Sequence, residues 1–142
     1  MQRDPSLRSL SSEHHTGLVV ARRARKAAGQ DAQAQATAWK TIREIFRADL
    51  EPHFQREEQG LLPVLRVAGE VELVERTLRE HRSLRALISE NRPANLAPFA
   101  ESLTAHIRFE EKELFATAQR VLSSKVLADL ERVLDDRRQV AE

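Results

Sequence analysis

Two hexapeptides of this 142-residue chain hold the side chains best suited to chemistry: His53-Phe54-Gln55-Arg56-Glu57-Glu58 and His106-Ile107-Arg108-Phe109-Glu110-Glu111. In each, a histidine is followed four residues later by a glutamate, and a second glutamate comes next. The likeness extends outward at a constant offset of about 53 residues, the kind of internal repeat that organises a chain. Phe46 pairs with Phe99, Leu50 with Leu103 and Leu61 with Leu114. On an α-helix, residues i and i+4 sit one above the other on the same face. His53 therefore shares a face with Glu57, and His106 with Glu110. Both faces are otherwise apolar and should point inward. An imidazole and a carboxylate in an apolar interior need a partner, because an unpaired buried charge is very costly. A metal ion is one such partner.

Two further histidines join them. His14 lies within the stripe Leu10, His14, Leu18, Ala21, Arg25 and Ala28, and His81 within Leu73, Val74, Leu78, Leu84, Leu87 and Ile88. Four of the five histidines thus fall mid-stripe on four different helices. The fifth, His15, falls to one side of the first stripe, which favours His14 as the inward residue. Glu58 and Glu111 lie one position off the inner face, as outer partners of ligands or as solvated groups. A hydrogen-bonded core histidine is the plainer reading of each site taken alone; the coincidence of four argues for metal. Four imidazoles with two carboxylates are nitrogen and oxygen donors suited to two borderline-hard transition ions, with Glu57 and Glu110 placed to bridge them.

Helices must position these groups. Residues 1–10 read as an extended arm, since Pro5 and the serines disfavour a regular element. Ser11 or Ser12 can cap a first helix ending at Gly29. Asp31 can cap a long second helix to about residue 66, with a bend expected at Pro52, just before His53. Pro63 bends or ends its last turn. Gly69 breaks the chain before a third helix, about 70–90, and a fourth spans about 95–121 with Pro98 in its first turn. A short C-terminal helix within 123–138 carries Val126, Leu127, Leu130 and Leu134 on a modest apolar face. Short connections predict an all-α, up-down-up-down four-helix bundle with a short fifth helix, one domain over residues 1–142. Bundles of this kind build metal sites on their axis.

Composition narrows the function classes. Lys plus Arg (23) nearly balance Asp plus Glu (22), and the net charge of +1 gives no electrostatic case for nucleic acid. The absence of cysteine excludes disulfides, iron–sulfur clusters and thiolate zinc sites. No long apolar run opens the chain, so neither a secretory signal nor a membrane span is expected, and the protein reads as cytoplasmic.

The same residues resemble the hemerythrin family, specifically the bacterial hemerythrin-like HHE cation-binding domains, over roughly residues 7–120. The resemblance is carried by Glu13-His14, His53-x-x-x-Glu57, Glu80-His81 and His106-x-x-x-Glu110, in that order and helical placement. It implies that His14, His53, His81 and His106 are iron ligands and that Glu57 and Glu110 bridge two iron ions, oxo- or hydroxo-bridged when oxidised. It also implies that O2, or a related ligand such as NO, binds at an open iron position. The alternatives are a peroxide-decomposing or NO-reducing enzyme on the same centre, or iron storage or sensing. Two departures bear on this choice. Oxygen-carrying hemerythrins have a second histidine on the third helix where Thr77 stands here, and their last carboxylate is an Asp five residues after its His. This chain has Glu110 at four and Glu111 at five. Some relatives use a tyrosine ligand, and this chain has no tyrosine. These differences favour a more symmetric site, with two imidazoles per iron.

Ferritin-like diiron oxidases use Glu-x-x-His pairs; the residues three before His53, His81 and His106 are Leu50, Leu78 and Leu103. The His-Glu-x-x-His of zinc hydrolases is absent too. The ligand list predicts that His53→Ala or His106→Ala sharply lowers bound iron, measured by metal analysis of the purified protein, while His15→Ala changes it little. Equal loss from His15→Ala would mean the first helix presents the other face.

Overall fold

The computed structural model describes residues 3–141, with side chains through Asp135. Among the described residues every regular element is helical, in five segments. Helix α1 (Pro5–Ala28) starts well before Ser11, so of the arm expected over residues 1–10 the part from Pro5 onward is helix, and residues 1–2 lie outside the described residues. Asp4 is the cap: its carboxylate accepts the Ser6 N–H at 2.8 Å. Pro5 occupies the first helical position, where its fixed φ suits the helix and its missing N–H costs nothing. The buried face of α1 includes Leu7, Leu10, His14, Gly17, Ala21 and Ala24. Arg25, placed on the stripe by periodicity, is exposed and reaches Thr104 Oγ1 at 3.5 Å. Gly17 marks a close approach of α1 to the fourth helix: a Cβ there would stand 2.7 Å from Ile107 Cδ1.

Helix α2 covers 32–67 and starts at the expected cap, Asp31, which accepts the Ala34 N–H at 2.9 Å. Two five-residue π-turns interrupt it, Phe46–Leu50 and Glu57–Leu61. Each ends just ahead of a proline, Pro52 and Pro63, which cannot donate to the i−4 carbonyl. The bend expected at Pro52 thus takes the form of a wider turn, and Pro63 is absorbed the same way instead of ending the helix. Gly69, at φ +94°, turns the chain into α3 (Val71–Ser89). A 3₁₀ turn, Pro93–Asn95, leads into α4, which covers 96–121 and contains a third π-turn, Glu110–Leu114. Helix α5 (Ser124–Ala141) follows, its first turn tied by the Val126 N–H to Ser123 Oγ at 3.2 Å.

The apolar interior forms two clusters. One gathers Val20, Trp39, Phe46, Leu84, Phe99 and Leu103; the other gathers Leu10, Leu61, Val74, Phe109, Phe115 and the α5 residues Leu127, Leu130 and Leu134. On each of the four long helices the inward histidine lies in sequence between residues of one cluster and residues of the other: His14 between Leu10 and Val20, His53 between Leu50 and Leu61, His81 between Val74 and Leu84, His106 between Leu103 and Phe109. The polar layer is therefore sandwiched between two dry ones. No helix among the described residues is long and apolar enough to cross a membrane.

Helix α5 closes on the π-turn that opens with Glu57. Gly60 makes the contact, for a Cβ there would lie 3.0 Å from Leu134 Cδ2 and 3.5 Å from Leu130 Cδ1. A large side chain at this point overpacks the interface, at a cost of about 1–3 kcal/mol. Gly60→Leu should lower the urea midpoint accordingly, whereas an unchanged midpoint would show that α5 is not held closely here.

Candidate metal centre

The structure brings together all six inward residues that the sequence singled out. Their donor atoms form two groups, His14–His53–Glu57–Glu110 and Glu57–His81–His106–Glu110, and within each the atoms lie no more than 4.8 Å apart. Glu57 and Glu110 belong to both groups. Donors held about 2.1 Å from a common ion lie roughly 3–4 Å from one another, so each group is close to the spread that could hold a metal ion. All six side chains are buried, with Glu57, His81 and Glu110 at 0 % exposure. His15 is exposed. Thr77 is also fully buried, and its hydroxyl donates to the Leu73 carbonyl at 2.8 Å.

Local structure explains the convergence. The i+4 spacing sets each histidine–glutamate pair on one face, at 3.4 Å between His53 Nε2 and Glu57 Oε2 and 3.1 Å between His106 Nε2 and Glu110 Oε2. A π-turn begins at each of these glutamates. Such turns concentrate at functional sites. The third, at Phe46–Leu50, precedes His53 and starts at no ligand.

Each imidazole is fixed from outside by a carboxylate on another helix. Nδ1 of His14 meets Glu111 Oε2 at 2.7 Å, that of His53 meets Glu13 Oε1 at 3.2 Å, that of His81 meets Glu58 Oε2 at 2.7 Å, and that of His106 meets Glu80 Oε1 at 2.7 Å. A carboxylate only accepts, so Nδ1 carries the proton, and in the neutral ring the Nε2 lone pair faces the centre. Arginines hold the outer carboxylates in turn: Arg3 on Glu111, Arg56 on Glu13, Arg85 on Glu58 and Arg76 on Glu80. Sequence reasoning named Glu58 and Glu111 as outer groups. It missed the roles of Glu13 and Glu80, although the Glu-His dipeptides they head were in view.

The inward atoms supply the test of fit. Nε2 of His53, His81 and His106, both oxygens of Glu57 and Oε2 of Glu110 are buried without a hydrogen-bond partner. His81 Nε2 lies 3.2 Å from Glu57 Oε1, yet it is not aligned for a hydrogen bond with it. Buried polar atoms are almost always paired, and here several converge on a common point. That is the geometry of a cation cage, and its nitrogen and oxygen donors suit iron, zinc or manganese.

The chain belongs to the hemerythrin family: the model of the hemerythrin HHE cation-binding domain matches residues 6–118. A cation-binding bundle is thus the class that fold, site and family agree on. Neither a curated protein nor a solved structure matches the chain.

Protons compete with metal for this cage. Burial opposes charge on His53, but Glu57 and Glu110 outweigh it and raise its pKa to about 10. Against the same burial, Glu110, Glu57 and Glu58 raise His81 to about 10, and Glu110 and Glu80 raise His106 to about 9. His14 is raised by Glu110 and Glu111, again against burial. Burial likewise opposes charge on Glu58, Glu80 and Glu111, yet their imidazole partners hold all three below the ordinary carboxylate range. A histidine whose pKa rises from 6.5 on folding stabilises the fold fully below 6.5, and that contribution is lost as pH rises through the folded value. Chelator-treated protein should therefore lose stability steadily between about pH 6.5 and 10, read from urea midpoints. Metal loading at pH 7 should release protons, measurable in weakly buffered solution. A midpoint that rises across that window would contradict the assignment.

Proposed function

We propose that the protein holds two iron ions in this cage and binds O2, or a related diatomic such as NO, at an open position of the centre. The observation that carries this reading is the sharing of Glu57 and Glu110 between two donor sets in which the inward atoms, His14 Nε2 and Glu110 Oε1 apart, lack hydrogen-bond partners. Each set offers two imidazoles and two carboxylates, the kind of donor set that leaves positions open on non-haem iron. The Thr77 hydroxyl is engaged by the Leu73 carbonyl, and the two sets contain the same donor types. Iron would supply the electrons that such a diatomic takes up on binding.

The chain's own residues account for the rest. Glu57 and Glu110 offset the charge of two cations in a site with no other inward anion among the described residues. Glu13, Glu58, Glu80 and Glu111 hold the Nδ1 protons and so keep the four rings aimed inward. Phe54 lies against the His81 ring with centroids 3.9 Å apart, and Phe115 and Phe109 pack against His14 and His106. These rings exclude bulk water from the cage. The proposal includes the up-down-up-down order, supported by the alternate sequence in which successive helices traverse the two apolar clusters. It also includes a cytoplasmic location.

An optical spectrum of reduced, iron-loaded protein before and after O2 is admitted tests the reading. A charge-transfer band that disappears again when O2 is removed is expected. Irreversible oxidation would transfer the proposal to peroxide or NO turnover on the same centre. Failure to take up iron at all would overturn it.

A further inference from the structure

The four imidazoles are each held at Nδ1 by a carboxylate, but His14 differs in what anchors its holders. Its Nδ1 meets Glu111, its Nε2 lies 2.8 Å from Glu110 Oε1, and its ring is parallel to Phe115 with centroids 5.3 Å apart. One side chain from ahead of α1 grips both Glu111 and Phe115. Arg3 donates from Nη2 to the Glu111 carbonyl oxygen at 2.9 Å and to Glu111 Oε1 at 3.2 Å, and its guanidinium lies 5.5 Å from the centre of the Phe115 ring. Its Nη1 reaches Gln119 Oε1 at 3.1 Å, which also accepts the N–H of the capping residue Asp4 at 2.8 Å. Ser11 completes the arrangement by donating to the Glu111 carboxylate. The arginines on Glu13, Glu58 and Glu80 come instead from α2 and α3. Arg3 lies outside the segment matched to the family, residues 6–118.

We propose that Arg3 is a positioning residue for the ion position built on His14 and His53. It acts through Glu111 and Phe115, so that the segment preceding α1 sets how firmly this one position is closed. The inference rests on the reading of two ion positions given above. A charge-assisted contact to one carboxylate oxygen, made by a nitrogen that is itself fixed on the Glu111 carbonyl, restrains the Glu111 side chain. Without it, Glu111, whose side chain is 32 % exposed, is held outside His14 by Ser11 alone, and the His14 ring has a less firmly fixed partner and neighbour. The position built on His81 and His106 shares none of these contacts. Loss of an outer partner weakens metal binding about 10–100-fold, and Arg3 acts one contact further out, so an effect of about tenfold is expected.

Co(II) loading of the full chain, followed by a chase with excess chelator, reads both positions through the visible absorption of the bound ion. Wild-type protein should bind two equivalents and release them in two phases, and the phase missing from His14→Ala identifies the position concerned. In Arg3→Ala that phase should be about tenfold faster, with the other unchanged. Arg3→Lys, which keeps a cation beside Glu111, should restore most of the slow release. Arg66→Ala, which removes an exposed ion pair with Glu75 elsewhere on the surface, should alter neither phase. Unchanged release from Arg3→Ala, equal acceleration of both phases, or no recovery in Arg3→Lys would each overturn the proposal. Wild-type protein that takes up fewer than two equivalents would instead overturn the two-position reading, and this inference with it.

Discussion

Two fully enclosed carboxylates set the terms for the rest of the molecule. Glu57 and Glu110 sit at 0 % exposure in the middle of a helix bundle, a position in which an isolated negative charge is untenable. They must be neutralised, and only cations close by can do so. In the metal-free protein the cations are imidazolium groups, which is why His53, His81 and His106 are held well above their ordinary pKa despite burial. In the proposed loaded form they are metal ions bound by the same nitrogens. One set of side chains thus serves two charge balances. The bundle can fold around a protonated site and exchange those protons for metal without rebuilding its core. The outer glutamates belong to the same balance, since each imidazole that turns one nitrogen to the centre needs its other nitrogen satisfied at the edge.

Helix geometry has to deliver the two carboxylates from opposite halves of the chain, and it does so identically. After Glu57 the buried apolar side chains are Leu61, Leu62 and Leu65; after Glu110 they are Leu114, Phe115 and Ala118. The spacing is the same in both. An unbroken α-helix would carry Leu62 and Phe115 off the inward face, because a five-residue step overshoots one turn. The π-turns starting at Glu57 and Glu110 accommodate that extra residue, which keeps the apolar wall below the cage continuous. Since Glu110–Leu114 has no proline behind it, proline alone does not explain these turns. The property common to the two is the buried glutamate at the start.

What the sequence made legible was whatever depends on one helix at a time. Periodicity and i+4 spacing placed His53 with Glu57 and His106 with Glu110, and they separated His14 from the exposed His15. Contacts between helices left no such trace. Glu13 binds His53, Glu80 binds His106, Glu58 binds His81 and Glu111 binds His14, each across a helix boundary. The inward face of α1 shows the same limit. Periodicity put Leu18 and Arg25 on it, with Arg25 expected to snorkel outward; with Gly17 packed closely on Ile107, Leu18 is only partly buried, Ala24 faces in and Arg25 faces out. A glycine contributes nothing to an apolar stripe, yet it decides the rotation. At the N-terminus Pro5 was read as a breaker, when at the first position of a helix it is a starter.

The repeat that organises the chain also shows where its two halves part. Exchanging Glu13, His14, His53 and Glu58 with Glu80, His81, His106 and Glu111 carries every Nδ1–carboxylate contact onto its counterpart, so the donors and their outer holders are duplicated. The walls are not. His81 is stacked under Phe54 at 3.9 Å with the rings 8° apart, whereas the repeat sets Ile107 opposite Phe54. His14 faces Phe115, and the repeat sets Leu62 there. His81 is wholly enclosed, while His14 keeps 6 % exposure. Affinity of a ligand atom depends on its electronic character, which the repeat preserves, and on how rigidly it is held, which the walls decide. In the proposed two-ion form, matched donors in unmatched enclosures are what would make the two positions chemically alike and kinetically distinct.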